Sequence, residues 1–260
     1  MLVNKVREAL ETKGRAIGTF IQMRNPEACQ VAGAAGFDFV IIDMEHGSIG
    51  FDAMVDMVRA AESQGASPVV RVPDGSPWII KKVLDAGAAG ILVPQIRTAE
   101  DAARAVQAAH YETKGIRGSC PCIRASRHSI VDWQEYRAWS DKNVMVWPII
   151  ETVDAVANIE AILDTGVDAI HPGPFDLSMN MGLNGDTDHP DVVQALDSMA
   201  RAASARGVDI VPVLFGTHPD DITRSAESWQ RRGARMFIAL TDRWCLAAGY
   251  RGAVDTLRRL

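Results

Sequence analysis

The chain has 260 residues, of which 47% are hydrophobic and 23% are charged, a balance typical of soluble globular proteins. Its formal net charge of −6 and the absence of a basic stripe argue against nucleic acid or an anionic membrane as partner. No apolar run approaches the roughly 20 residues that span a bilayer, and Asn4, Lys5 and Arg7 interrupt any signal-peptide core, so we expect a cytoplasmic protein.

Short apolar runs alternate with stretches of helical periodicity along the chain, after a first helix predicted near Val3 to Glu11. Strands are predicted at Ile17 to Ile21, Phe39 to Asp43, Val69 to Val72, Gly90 to Val93, Val144 to Ile150, Ala169 to His171, Ile210 to Val213 and Met236 to Leu240. Helices are predicted between them near Pro26 to Ala35, Phe51 to Gln64, Pro77 to Ala86, Ala99 to Ala109, Val153 to Leu163, Val192 to Arg206 and Pro219 to Arg232.

Eight strands that alternate with helices predict a parallel sheet covered on both faces. The count favours a closed (β/α)₈ barrel over an open doubly wound sheet, whose glycine-rich phosphate loop after the first strand is missing. We expect one domain over residues 1–260, with the N-terminal helix in front and an extra C-terminal helix in residues 241–260. The long connection at residues 110–143 is expected to be functional or to contact another subunit.

Charged side chains follow several of these apolar runs at the point where the predicted strand ends. An isolated charge held out of water is costly, and the carboxyl ends of barrel strands meet at one face, so we expect a shared polar site. The candidates are Asp43, Glu45 and His46 at and beyond the end of the second strand, Arg71 near the end of the third, Glu151 after the fifth and Asp176 after the sixth.

Two carboxylates from neighbouring strands, Glu151 and Asp176, can form a structural pair with arginines, act as general acid and base, or bind a hard cation. We favour the cation, because oxygen ligands without Cys or His in the same segments suit Mg²⁺ or Mn²⁺. His171 is the exception in this neighbourhood, either as a third ligand or, as we prefer, through a bond to the backbone.

His46 is either a structural histidine or a general base whose basicity nearby carboxylates raise. Arg71 can bridge Asp43 or Glu45 and also suit a developing oxyanion. The segment from Gly173 to Ser178 predicts a rigid turn that opens a short helix, whose first amides can hold a substrate carboxylate. Because no lysine follows a predicted strand, we discount Schiff-base aldolase chemistry.

At these positions the sequence resembles the HpcH/HpaI aldolase family of metal-dependent class II pyruvate aldolases, which includes 4-hydroxy-2-oxoheptanedioate and 2-keto-3-deoxy sugar acid aldolases. The matching motifs cover most of the predicted barrel in order. They are Gly36-Phe37-Asp38, Ile42-Asp43-Met44-Glu45-His46-Gly47, Val70-Arg71-Val72-Pro73, Leu84-Asp85-Ala86-Gly87-Ala88, Val93-Pro94, Thr98-Ala99-Glu100, Tyr111, Gly115-Ile116-Arg117-Gly118, Arg124-Ala125-Ser126-Arg127, Ile150-Glu151-Thr152, Gly173-Pro174-Phe175-Asp176-Leu177-Ser178 and Gly182.

The resemblance implies a role for each candidate. Glu151 and Asp176 would hold the divalent metal, Mg²⁺ or Mn²⁺ with Co²⁺ as a further option, and Glu45 would lie beside it near a bound water. His46 would be the base, Arg71 with its neighbour Asp43 would stabilise the enolate, and Asp85 would raise the basicity of the histidine. The backbone from Gly173 through Phe175 to Asp176 would receive the carboxylate of a 2-oxo acid.

The resemblance also implies a homohexamer, a trimer of dimers that exchange C-terminal helices, so that Asp85 acts with a neighbouring subunit. One departure concerns substrate binding, because Ile149 stands where the family usually has Gln; Gln95 is a candidate to compensate. The expected reaction is reversible cleavage of a 4-hydroxy-2-oxo acid to pyruvate and an aldehyde through a pyruvate enolate. The alternatives are oxaloacetate decarboxylation, a citrate-lyase-like or malyl-CoA-lyase-like reaction, and a non-catalytic barrel that binds a 2-oxo acid.

Overall fold

Every strand pair in the computed structural model, which describes residues 3–216 and 218–260, runs in parallel. The strands within those residues are β1 (Ala16–Ile21), β2 (Phe39–Asp43), β3 (Ser67–Arg71), β4 (Gly90–Val93), β5 (Met145–Ile150), β6 (Ala169–Pro172), β7 (Asp209–Ile210), β8 (Val213–Leu214) and β9 (Met236–Thr241). They form one sheet in the order β7-β6-β5-β4-β3-β2-β1-β9-β8.

Helices connect successive strands and return the chain from the carboxyl edge of the sheet to its amino edge. They are α1 (Lys5–Thr12), α2 (Pro26–Ala34), α3 (Phe51–Ser63), α4 (Pro77–Asp85), α5 (Ala99–Ala109), α6 (Trp133–Asn143), α7 (Val153–Ala157), α8 (Ile159–Leu163), α9 (Pro174–Asn180), α10 (Pro190–Arg206), α11 (Pro219–Arg231) and α12 (Asp242–Leu257). None of the helices in this part of the chain is long and apolar enough to cross a membrane.

Both faces of the sheet are buried, and the sheet curls around an inner core. Alternate residues of β2 show the division, because Val40 and Ile42 pack with the helices while Phe39 and Ile41 belong to a separate inner cluster. In that inner cluster the ring centroids of Phe39 and Trp147 lie 5.5 Å apart in an edge-to-face contact. The predicted parallel α/β sheet is therefore confirmed, and its strands end together at one carboxyl edge.

The predicted strand from Ile210 to Val213 differs from the structure, which divides it into β7 and β8. The former pairs with β6 and the latter with β9, so the two lie at opposite ends of the sheet order. Pro212 lies between them, and because proline has no N–H to donate, it interrupts the regular ladder.

The helices depart from the predictions at two places. The single helix expected over Val153 to Leu163 is divided at Asn158, whose ψ of 9° is not helical. The long connection at residues 110–143 contains α6, which the sequence did not predict, capped by the Asp132 side chain. The expected short helix after Gly173 and the expected C-terminal helix are both present as α9 and α12.

Candidate active site

Asp43 and Arg71 form the best-defined pair at the carboxyl edge. They lie opposite each other in register on β2 and β3. Arg71 donates from Nε and Nη2 to the two carboxylate oxygens of Asp43 at 2.8 and 2.5 Å, a forked pairing. The Asp43 side chain is fully buried and that of Arg71 is 12% exposed. The carboxylate therefore lies below the guanidinium, which remains partly accessible at the carboxyl edge.

Sequence analysis overlooked two contacts that position this pair. The ring of Phe20 on β1 lies under the guanidinium, with Arg71 Cζ 4.8 Å from the ring centroid. Gln22 follows the same strand, and its Nε2 donates to Asp43 at 2.9 Å. Neither residue is charged, so a search for charges at strand ends could not find them, although Gln22 stands at an equivalent strand end.

Burial alone would raise the pKa of Asp43, but the bonds and charge of Arg71 outweigh it, and Gln22 and the His46 amide add to them, so that the pKa falls below its ordinary value. The Asp43 carboxylate also accepts from the backbone amides of Glu45 and His46, both at 3.1 Å. This carboxylate therefore stays ionised and holds the turn that carries the next two candidates.

Replacing Asp43 with Asn should lower the free energy of unfolding by about 1–3 kcal/mol at pH 7, because the buried ion pair is lost. The folded pKa is depressed, so this contribution is complete above the unfolded pKa of about 3.9 and is lost as the pH falls through the folded pKa. Urea denaturation at pH 7 and at stepwise lower pH should show the two proteins converging in acid. A difference that does not change with pH would contradict the ion pair.

Glu45 and His46 lie beyond this pair, on the turn after β2. Glu45 Oε2 is 3.4 Å from Arg71 Nε and 3.9 Å from His46 Nε2. The His46 side chain is 63% exposed, whereas that of Glu45 is 17% exposed. Burial raises the pKa of Glu45; Arg71 and His46 oppose the rise, and the charges of Asp43 and Asp176 add to it. An imidazole beside a carboxylate and open to the edge is suited to proton transfer.

Glu151 directly follows β5 at the same edge, and Asp176 lies in the first turn of α9. The backbone N–H of Gln95 donates to Glu151 Oε1 at 2.8 Å, and Gln95 has a φ of 58°. Burial raises the pKa of Glu151, the Gln95 bond and Arg71 oppose this, and the charges of Asp176 and Glu45 add to the rise. The negative charge of Asp176 thus acts on both Glu45 and Glu151, which is an arrangement that a cation would stabilise.

Gly173 leaves room for Glu151, since a Cβ at this position would lie 2.8 Å from Glu151 Cβ and 3.3 Å from Ile149 Cγ2. Gly173→Ala should therefore displace the carboxylate and reduce kcat/KM up to about 10²-fold, the cost of a shift of about 1 Å in a site. Steady-state kinetics would check this, with Gly50→Ala as control, because a Cβ on Gly50 meets nothing within 4 Å. Equal kinetics for the two variants would contradict the inferred crowding.

Asp85 is not brought to the other candidates within one chain. It ends α4, on the side of the sheet where the chain enters β4, whereas His46 follows the carboxyl end of β2. Its Oδ1 accepts from Arg117 Nη2 at 2.7 Å, and the Arg117 side chain is fully buried. A catalytic role for Asp85 thus remains a prediction that requires a second subunit.

The remaining predicted substrate contacts lie at the start of α9. Phe175 and Asp176 are exposed there, in the first turn of the helix that Gly173 caps. Gln95 is exposed near them, and its recorded contact is through the backbone N–H to Glu151 rather than through its side chain. His171 on β6 has a backbone partner, the Val211 carbonyl oxygen, 2.6 Å from Nδ1, which is the alternative that sequence analysis preferred.

The sequence model of the HpcH/HpaI aldolase/citrate lyase family matches residues 16–235. A 5-keto-4-deoxy-D-glucarate aldolase from Escherichia coli O139:H28 (strain E24377A / ETEC) is 38% identical over 205 residues, which are 78% of this chain and 79% of that protein. The crystal structure of an HpcH/HpaI aldolase from Desulfitobacterium hafniense DCB-2 is 29% identical, with a TM-score of 0.90 over 98% of this chain and 97% of the other.

A crystal structure of the citrate synthase SbnG is also similar, at 27% identity and a TM-score of 0.86, covering 98% of this chain and 97% of that one. The family match includes every candidate residue from Asp43 to Asp176, so the residues that suggested a resemblance lie inside the matched segment. The chain therefore belongs to the HpcH/HpaI aldolase/citrate lyase family, as its motifs predicted, and is an enzyme of the lyase class.

Proposed function

We propose that this protein is a divalent-metal-dependent aldolase that reversibly cleaves a 4-hydroxy-2-oxo acid to pyruvate and an aldehyde. One observation carries the proposal: Glu45, Glu151 and Asp176 lie near enough at the strand ends for their negative charges to act on one another, and Glu45 lies 3.4 Å from Arg71. A hard metal ion and a guanidinium at one edge provide the positive charge that an enolate needs as the C–C bond breaks.

The donor set fits Mg²⁺, Mn²⁺ or Co²⁺. Glu151 and Asp176 offer only oxygen atoms, and burial together with the negative charges of Asp176 and Glu45 raises the pKa of Glu151, so a hard cation would stabilise its carboxylate. No three His, Cys, Asp or Glu side chains in the described residues form a metal-binding group, so water and substrate would complete the coordination of an ion held by two protein ligands.

The bound metal would act as a Lewis acid that polarises the keto group of the 2-oxo acid. The backbone amides of Phe175 and Asp176 would hold the substrate carboxylate, and Arg71 would face the oxygen on which negative charge develops. His46 would remove the proton from the 4-hydroxyl while the C3–C4 bond breaks, and would return a proton to carbon 3 of the enolate. Glu45, 3.9 Å from His46 Nε2, would orient the imidazole and stabilise its protonated form.

The test is a pyruvate-release assay over a panel of 4-hydroxy-2-oxo acids, first with EDTA and then with added Mg²⁺, Mn²⁺ or Co²⁺. We expect release to stop on chelation and to return with metal, because the enolate charge is otherwise uncompensated. Pyruvate release from none of the compounds under any metal would favour a non-catalytic 2-oxo acid binding protein. Release from oxaloacetate or CoA esters alone would favour the second candidate.

That second candidate is a related enolate lyase, an oxaloacetate decarboxylase or a citrate-lyase-like or malyl-CoA-lyase-like enzyme. It is supported by the similarity to a citrate synthase. A CoA substrate would need free basic side chains for its phosphates, and two of the arginines in the connection after α5 are already paired. Arg117 donates to Asp85, and Arg124 forms a salt bridge with Glu62. The aldolase is therefore the better proposal.

The proposed architecture is a closed (β/α)₈ barrel over residues 1–260, with β7 and β8 as two parts of one interrupted strand. Backbone bonds on either side of the interruption support it, because Val211 donates to Ile170 and Ile238 donates to Pro212, both at 2.9 Å. In a closed barrel all the strand ends that carry the candidates would surround a single opening.

We also propose a homo-oligomer, in the form of a hexamer built from dimers that exchange C-terminal helices. No residue of α12 is buried within the chain, although it exposes apolar side chains at Trp244, Leu246, Tyr250, Val254 and Leu257. A helix with such a surface is stabilised by burial against another subunit. The same assembly would give Asp85 its predicted route to the site of a neighbour.

A further inference from the structure

His171 is a buried histidine on the inner face of the sheet that the proposed reaction leaves without a role. Side chains alternate along β6, where Ile170 faces the helices and Ala169 faces the inner cluster. His171, two residues after Ala169, therefore faces inward as well. Its ring centroid lies 6.2 Å from that of Phe20, the ring on which Arg71 is stacked. It is also paired in register with Ile149, the position at which this chain departs from the usual family glutamine.

The geometry fixes which ring nitrogen carries the proton. Nδ1 lies 2.6 Å from the carbonyl oxygen of Val211, and because that oxygen can only accept, Nδ1 must donate. Burial lowers the pKa of His171 to about 4, and the charge of Arg71 contributes to the decrease, so the ring is neutral at neutral pH. Nε2 therefore carries a lone pair and can act only as an acceptor.

Nε2 borders accessible space. It has no hydrogen-bond partner among the described residues. It is also not fully enclosed, unlike the other buried polar side-chain atoms of those residues that lack a partner. Trp147 and Phe39 lie in the inner core, and the Phe20 ring, on which Arg71 is stacked, lies beside His171. The open side of the His171 ring is therefore inferred to be the side toward Arg71 and the carboxyl edge.

The position of His171 selects one part of the substrate. In the proposed reaction the carboxylate lies at the start of α9, and the keto oxygen lies near Arg71. The 2-oxo acid half thus lies over the ends of β5 and β6, while the aldehyde half extends toward the exposed His46. Carbon 3 is the only carbon of that half able to carry a hydroxyl, and Ile149 offers it no polar contact.

Resting on the proposed aldolase function, we infer that His171 is a specificity-determining residue whose Nε2 accepts a hydrogen bond from a hydroxyl on carbon 3 of the 2-oxo acid. The chain would then accept hydroxypyruvate beside pyruvate as the enolate-forming half, and 3,4-dihydroxy-2-oxo acids beside their 3-deoxy counterparts. An acceptor at this point discriminates because bound substrate covers Nε2, and a substrate without the hydroxyl leaves that nitrogen without a partner.

The test measures exchange of the carbon 3 protons with D₂O by ¹H NMR, for hydroxypyruvate and pyruvate separately, without aldehyde and with saturating Mn²⁺ or Mg²⁺. His171→Phe should lower the ratio of kcat/KM for hydroxypyruvate to that for pyruvate by about 10-fold, the value of one neutral hydrogen bond. His171→Gln, which keeps an acceptor oxygen, should retain more of this ratio. His189→Gln, at the N-cap of α10, is the matched control and should leave the ratio as in the wild type.

An unchanged ratio in both His171 variants would overturn the inference while leaving the aldolase intact. Wild-type protein that exchanges neither compound, and releases pyruvate from no 2-oxo acid, would overturn the aldolase and the inference with it. Side-chain ¹⁵N NMR of the wild-type protein gives a reading that needs no folded variant at this site. A proton on Nδ1 and a shift of the Nε2 resonance on adding hydroxypyruvate, but not pyruvate, support the proposal, and a proton on Nε2 contradicts it.

Discussion

Arg71→Ala should reduce kcat by about 10²–10³-fold, since losing one donor to a developing oxyanion typically costs that much. Two hydrogen bonds to Asp43 and the ring of Phe20 hold the guanidinium in a fixed position. A side chain without these contacts would not place a positive charge at the same point. Arg71→Lys keeps the charge but not the fork, and we expect it to recover only part of the rate. Steady-state kinetics of pyruvate release, with metal held at saturation, would measure both effects.

Arg71→Ala leaves Asp43 buried without its main partner, so the stability of this variant must be measured beside its activity. We expect circular dichroism to show a folded protein with a lower melting temperature, because Gln22 and two backbone amides still satisfy the carboxylate. Arg59→Ala, on the exposed side of α3, is the matched control and should leave kcat unchanged. A folded Arg71→Ala protein with wild-type kcat would remove this residue from the mechanism.

The sheet and the edge at which the candidates lie could be predicted because both depend on local patterns. The buried parallel strand Phe39–Asp43 begins as an apolar run, and the charged Asp43, with Glu45 shortly after it, marks the end of the strand. The spatial match of Asp43 with Arg71 then follows from strand register alone, since neighbouring parallel strands end together.

Other features depend on contacts that a linear pattern does not encode. The apolar run from Ile210 to Val213 predicts one strand, but Pro212 and two different neighbouring strands divide it. The role of Gln95 was missed because it acts through its backbone N–H, which is common to all residues except proline. Asp85 was proposed only through family resemblance, because a residue at a helix end on the far side of the sheet carries no local sign of catalysis.

Glu151→Gln and Asp176→Asn should each weaken Mn²⁺ binding and lower kcat/KM by at least about 10³-fold. The reason is that a bound metal stabilises the charge of the transition state by several kcal/mol. Both changes keep the size of the side chain and remove one negative charge. In Glu151→Gln the amide oxygen can still accept from the Gln95 N–H, so the local backbone should remain in place. Mn²⁺ affinity can be measured by electron paramagnetic resonance, independently of turnover, with Glu160→Gln on α8 as an exposed control.

Melting temperatures measured with and without metal distinguish loss of metal binding from loss of folding in these variants. The pKa of Glu151 is raised, first by burial and then by Asp176 and Glu45, so its ionised form destabilises the metal-free fold at pH values above that pKa. A neutral glutamine removes this repulsion, and in EDTA the melting temperature of Glu151→Gln should equal or exceed that of the wild type. Added Mn²⁺ should raise the melting temperature of the wild type alone, because only protein that binds the ion gains stability from it. If Mn²⁺ raised both melting temperatures equally, the ion would have to bind elsewhere, and the carboxylates at the ends of β5 and β6 would lose their proposed role.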